Sequence, residues 1–124
     1  MKTERRRWRS SRPAEALRLQ LSAARKDAGL DSLVLADQEG LCIAAAGAGW
    51  PHDEIAAYAA MVGAKVDNFE GTLYSHERCW NVRIRRFHAE GAPLLLCAVG
   101  GAGEPRAAGI QRSIGGVTRI LAVG

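Results

Sequence analysis

Apolar residues recur along this chain with two periods, and the switches between them mark its elements. Ala14, Leu17, Leu21, Ala24 and Ala28 step by three and four, which draws one apolar stripe along a helix over about residues 13–28. Pro13 suits the first helical position, where no N–H is needed, and Ser11 stands close by as a cap. Gly29 can take the left-handed conformation that closes a helix. Leu33-Val34-Leu35 and Leu41-Cys42-Ile43-Ala44 are apolar runs of strand length, and Asp37-Gln38-Glu39-Gly40 between them can reverse the chain. After the loop GAGWPH, Ile55, Ala59, Val62, Val66 and Phe69 repeat the helical step over about residues 53–70, with Asp53 and Glu54 at the positive end. Ala56, Ala60 and Gly63 form a second stripe beside the first. A helix with two apolar faces holds more surface than a single sheet covers.

From about residue 72 the period becomes two. Trp80, Val82 and Ile84 alternate with Asn81, Arg83 and Arg85, the pattern of a half-buried strand. A short strand fits near Leu73–His76, and Ala89-Glu90-Gly91 turns the chain. Leu94 to Val99 is apolar on both sides, which predicts a central strand covered on both faces. A last helix spans about Pro105 to Leu121, with Ala107, Ile110, Ile114, Val117 and Leu121 on one side. Gly109, Gly115 and Gly116 each weaken it by ~1 kcal/mol relative to alanine, so they point to close packing. The order is α-β-β-α-β-β-β-α, an α/β (α+β) arrangement without internal repeats.

The 124 residues suffice for one domain with one core. No apolar run approaches the ~18 residues of a membrane span, and no apolar segment follows the basic start as a secretion signal requires. The expected location is the cytoplasm. The net charge of +4 is unevenly placed: residues 1–12 hold six cations and one acid, and the rest holds 11 basic and 12 acidic side chains. The expected organisation is a flexible basic arm over 1–12 and a folded domain over 13–124. Arg5, Arg6, Arg7 and Arg9 surround Trp8 in that arm. They could hold nucleic-acid phosphates, an acidic protein or anionic lipid, or remain a solvated extension. Cys42, Cys79 and Cys97 form no C-x-x-C pair, and their apolar surroundings predict buried free thiols.

No group assembles into a reactive centre. Gly100-Gly101-Ala102-Gly103 precedes a helix, but no Gly-Lys-Ser/Thr follows, so it reads as a flexible loop rather than a phosphate cradle. His52, His76 and His88 have no ligand at metal spacing, and no serine sits in a nucleophile elbow. No catalytic residue, metal or cofactor is therefore assigned. Arg78, Arg83, Arg85 and Arg86 crowd one strand region, with Arg83 and Arg85 expected on the same face, and could dock an acidic partner or simply keep the strand solvated. Trp50 in its loop is either an interface anchor or a lid on the core.

The hairpin LVLADQEGLCIAAAG resembles the most recognisable segment of the roadblock / dynein light-chain family: an apolar strand ending in Asp37, a turn at Gly40, and a second strand ending in small residues. Asp53-Glu54-Ile55-Ala56-Ala57 is similar to the start of that family's second helix, and the likeness covers about residues 13–122. It implies a five-stranded antiparallel sheet with helices on its faces. It also implies dimerisation, as a homodimer or heterodimer, through the second helix and third strand. On this chain Ala56, Ala60, Gly63 and Tyr58 are the expected self-contact residues. The implied function is a non-enzymatic scaffold or regulator that binds a small Ras-like GTPase or a polarity or motility protein, with Arg83, Arg85, Arg86 and Trp50 as expected partner contacts. Two other readings stay open: a small-molecule sensor, which needs a cavity beside the sheet, and nucleic-acid binding through the arm.

Overall fold

A computed structural model describes residues 11–75 and 78–123. Among them are three helices and five strands: α1 (Ser11–Ala28), β1 (Ser32–Asp37), β2 (Cys42–Ala46), α2 (His52–Gly63), β3 (Asn68–Ser75), β4 (Arg78–Ala89), β5 (Ala92–Val99) and α3 (Gly103–Val123). The strands form one antiparallel sheet in the order β2-β1-β5-β4-β3. This is the expected architecture and element order. No described helix is long and apolar enough to cross a membrane.

Strand periodicity divides the core in two. Leu33, Leu35, Leu94 and Leu96 face α1 and α3, where they meet Leu17, Leu21, Ile110, Val117 and Leu121. Val34, Ala36, Leu95 and Cys97 face the other way, toward Ile55, Ala56 and Ala59 of α2. The central strands β1 and β5 are thus buried on both faces, and each enclosed leucine contributes roughly 2 kcal/mol over an exposed one. The β1–β2 hairpin is set by Asp37, whose Oδ1 accepts the N–H groups of Glu39 and Leu41, at 2.9 and 3.0 Å, while Gly40 takes φ 90°.

Helix α1 begins at Ser11, two residues earlier than the periodicity predicts, and residues 1–10 of the basic arm, including Arg5, Arg6, Arg7 and Arg9, lie outside the described residues. Helix α2 is shorter than predicted. It ends at Gly63, and Phe69 is not on a helix but in β3, opposite Ile84. The Arg86 guanidinium donates to the Gly63 carbonyl at 3.3 Å and holds that helix end. The strand expected near Leu73 is eight residues long. Opposite Val82, β5 reaches its last residue, Val99, so β3 and β4 continue past it as a two-stranded ribbon.

The glycines of α3 divide by function. A Cβ at Gly109 would lie 2.7 Å from the Ala28 Cβ, and one at Gly116 would meet the Gln20 side chain at 2.2 Å. These two let α1 and α3 pack closely, helped by an ion pair between Asp27 and Arg112. Gly115 meets only Arg119 Nη1, at 3.5 Å. The thiols also differ from expectation: Cys97 is buried, Cys42 is half-buried and Cys79 is exposed. Cys79 lies on the ribbon, where β5 no longer flanks β4.

Candidate interaction surfaces

The second helix decides where another molecule can sit. Ala56, Ala60 and Gly63 were expected to face a twin, but all three are buried against the chain's own sheet. At Gly63 the contact is so close that a Cβ would fall 2.0 Å from Leu95 Cδ2. In the single chain these three side chains pack inward, and Ala60 and Gly63 also line a cleft beside the end of the helix. The outward stripe of α2 is Ala57, Met61 and Ala64, with Met61 64% exposed.

Beside that stripe lies a half-covered apolar flank. Tyr58 stands edge-on to Trp80, with ring centroids 5.8 Å apart and planes at 79°. Phe69 and Leu73 on β3, Val62 on α2 and Trp50 before it are each only partly buried against the core. Trp50 thus packs on the core while still reaching solvent. Val66 is exposed just past α2. β3 is one edge of the sheet, and among the described residues its outer backbone groups have no strand partner. Helix flank and half-exposed aromatics pack on one cluster of the core, and β3 runs at the edge of the sheet.

The arginines expected to act together are divided between faces. Side chains alternate along a strand, so Arg83 and Arg85 point to the side of α1 and α3, and Arg86 points to the side of α2. Arg85 Nη1 donates to Gln111 Oε1 of α3 at 3.2 Å, and Arg83 Nε donates to Asn68 Oδ1 at 3.4 Å. Trp50 shares the α2 side with Arg86.

Sequence reasoning missed Arg106. It lies in the first turns of α3, 3% exposed, and gathers three elements at one guanidinium. Nη1 donates to Asn81 Oδ1 of β4 at 3.0 Å and to the Gly100 carbonyl at 3.2 Å, and Nη2 donates to Glu70 Oε2 of β3 at 2.8 Å. A lone helical arginine gives no signal of burial in sequence. Only the tertiary meeting of β3, β4 and the glycine loop reveals it. Cys97 lies near this charge. Burial pushes its thiol up to about 12, with Arg106 pulling weakly the other way.

Two surface clefts accompany these features. One of about 380 Å³ lies between the β1–β2 turn and the end of α2, floored by Leu95 and Pro93. The other, about 420 Å³, lies between α1 and the edge of β2. The first cleft reaches the core residues Ala60 and Leu95, and Leu94, Leu95 and Leu96 fill the central strand on both faces. Among the described residues no cluster of three or more histidines, cysteines or acids could hold a metal.

No protein-family description matches the sequence, and no curated protein does. Solved structures do match. MglB of Myxococcus xanthus superposes with a TM-score of 0.67 at 13% identity, covering 91% of this chain and 92% of that one. The gliding protein MglB of Thermus thermophilus gives 0.71 at 18% identity, over 92% and 94% of the two chains. An MglB in a tetrameric arrangement gives 0.71 at 18%, over 90% and 92%. The likeness is one of fold, and the anticipated five-stranded antiparallel sheet with helices on its faces is the architecture observed.

Proposed function

We propose that this protein is a non-enzymatic, dimeric scaffold that regulates a small Ras-like GTPase. The observation that carries this reading is the fold shared with MglB across more than nine-tenths of both chains. The tetrameric arrangement of one such MglB supports self-association. In this reading two copies meet through Ala57 and Met61 of α2 and Ala64 just past it, the flank of Tyr58, and the free edge of β3. Edge pairing would satisfy the open backbone groups and join two sheets into one, while the half-exposed aromatics close against their counterparts. Trp50 and Arg86 share the side of this contact and border the resulting platform. They are the residues proposed to touch the GTPase, by an aromatic anchor and a directed cation. The platform works by recognition: it holds the GTPase's own reacting groups in place.

The test is capture from native lysate on the immobilised full chain, with guanosine diphosphate or a non-hydrolysable triphosphate added, followed by mass spectrometry and by light scattering of the free protein. Recovery of a Ras-like GTPase, dependent on the nucleotide, by a protein of dimeric mass is the expected result. A monomer that retains no GTPase in either nucleotide state overturns the proposal.

A further inference from the structure

On the opposite side of the sheet, β3 and β4 lie open beside α3. Asn68, Glu70 and Thr72 of β3 and Asn81 of β4 are exposed there, with Arg83 and Arg85 half-buried between them. Glu70 is the direct cross-strand partner of Arg83. An opposite-charge pair in that register ordinarily neutralises itself. Here the Glu70 carboxylate turns instead to the buried Arg106, at 2.8 Å. Arg83 is left with the neutral amide of Asn68, and Arg85 with that of Gln111. Arg18, Arg106 and Arg112, by contrast, each sit on a carboxylate of their own chain.

We infer that this face is a docking site for an acidic protein segment, whose carboxylates take the place that Glu70 has vacated beside Arg83 and reach Arg85 next to it. Each guanidinium has five N–H donors, and one amide contact leaves most of its fork for a carboxylate. The amides also hold the two side chains in place before anything binds, which reduces the ordering that binding requires. Arg83 and Arg85 are two residues apart on one strand, about 7 Å. That separation matches acids two apart on an extended segment or about one turn apart on a helix. The track is two cations long and ends at Glu70, which suits a pair of carboxylates better than phosphates repeating along a strand. The site lies across the sheet from α2, and its two cations stand on β4, one strand in from the β3 edge used for self-association.

The experiment uses the full chain with Arg5, Arg6, Arg7 and Arg9 all changed to Gln, so that the arm does not bind the probe. A fluorescein-labelled oligoglutamate peptide is titrated at low salt and followed by fluorescence anisotropy. Arg83→Gln with Arg85→Gln should weaken binding about fivefold, and added salt should weaken it further. A charge-matched control, Lys65→Gln with Arg119→Gln, should change it less than about twofold. Oligomeric mass and GTPase capture should be unaffected by Arg83→Gln with Arg85→Gln, which separates failure of this site from failure of the dimeric scaffold. Equal losses in both pairs, or no loss in the first, overturn the inference. So does an oligothymidylate that binds more tightly than the peptide through the same two arginines, since the face would then serve nucleic acid.

Discussion

A single buried thiol links packing to pH. Cys97 is enclosed, and burial raises its pKa from 9.0 to about 12. The folded chain therefore keeps the proton that the unfolded chain releases above pH 9. The associated stability is complete below that pH and is lost as pH rises toward 12, with a slope of up to about 1.4 kcal/mol per unit. Denaturant midpoints measured across this window should fall for the natural chain and fall less for Cys97→Ala, after allowance for the smaller side chain. Equal slopes would place the pH sensitivity elsewhere. Thiol titration gives a second reading: exposed Cys79 should react in the native state, and Cys97 only on unfolding. Arg106 is the other residue whose loss should be felt throughout. Its removal takes a donor from the Gly100 carbonyl and returns the exposed Asn81 and Glu70 side chains to water, so Arg106→Ala should lower stability by about 1–2 kcal/mol in chemical denaturation. A change within about 0.5 kcal/mol would mean the pair is replaced by water at no loss.

Among the elements, α3 offers a controlled comparison. Gly109 and Gly115 carry the same helix-propensity penalty, but only Gly109 faces a close neighbour. Gly115→Ala should therefore raise stability by about 1 kcal/mol. Gly109→Ala must push Ala28 aside and should lower it. Thermal melts that move the same way for both would contradict the packing described. The sequence pattern could show that these glycines were unusual, but not which one had a neighbour, because contact with α1 is absent from a one-dimensional pattern. The same limit explains the overlong second helix. Val66 and Phe69 continue its four-and-three spacing, yet Phe69 pairs with Ile84 across the sheet. Gly63 was the available stop signal. The alanine stripes were likewise visible, but which one met the sheet depended on Leu95 filling the notch at Gly63. Strand alternation was fully legible: by itself it sets Arg86 on the other face from Arg83 and Arg85. The hairpin, the central strand and the element order were legible too, because period and turn chemistry agree there.

For the whole molecule, the deciding quantity is how many copies act together. The proposed dimer covers the surface of Met61, Ala57, Tyr58 and the β3 edge, at whose centre Met61 is 64% exposed. Met61→Glu would put a charge in the centre of the proposed contact without touching the core. Size-exclusion light scattering should show the variant at half the natural mass, with its circular dichroism unchanged. A variant that keeps the natural mass would move the contact to another face.

The Phe69 ring lies over Gly71: a Cβ there would be 2.9 Å from Cζ. Any larger residue at that position would have to displace the end of that ring along the edge strand. The adhesiveness of that border is thus governed by a missing methyl. One nucleotide change could alter the company this protein keeps and leave its interior as it is.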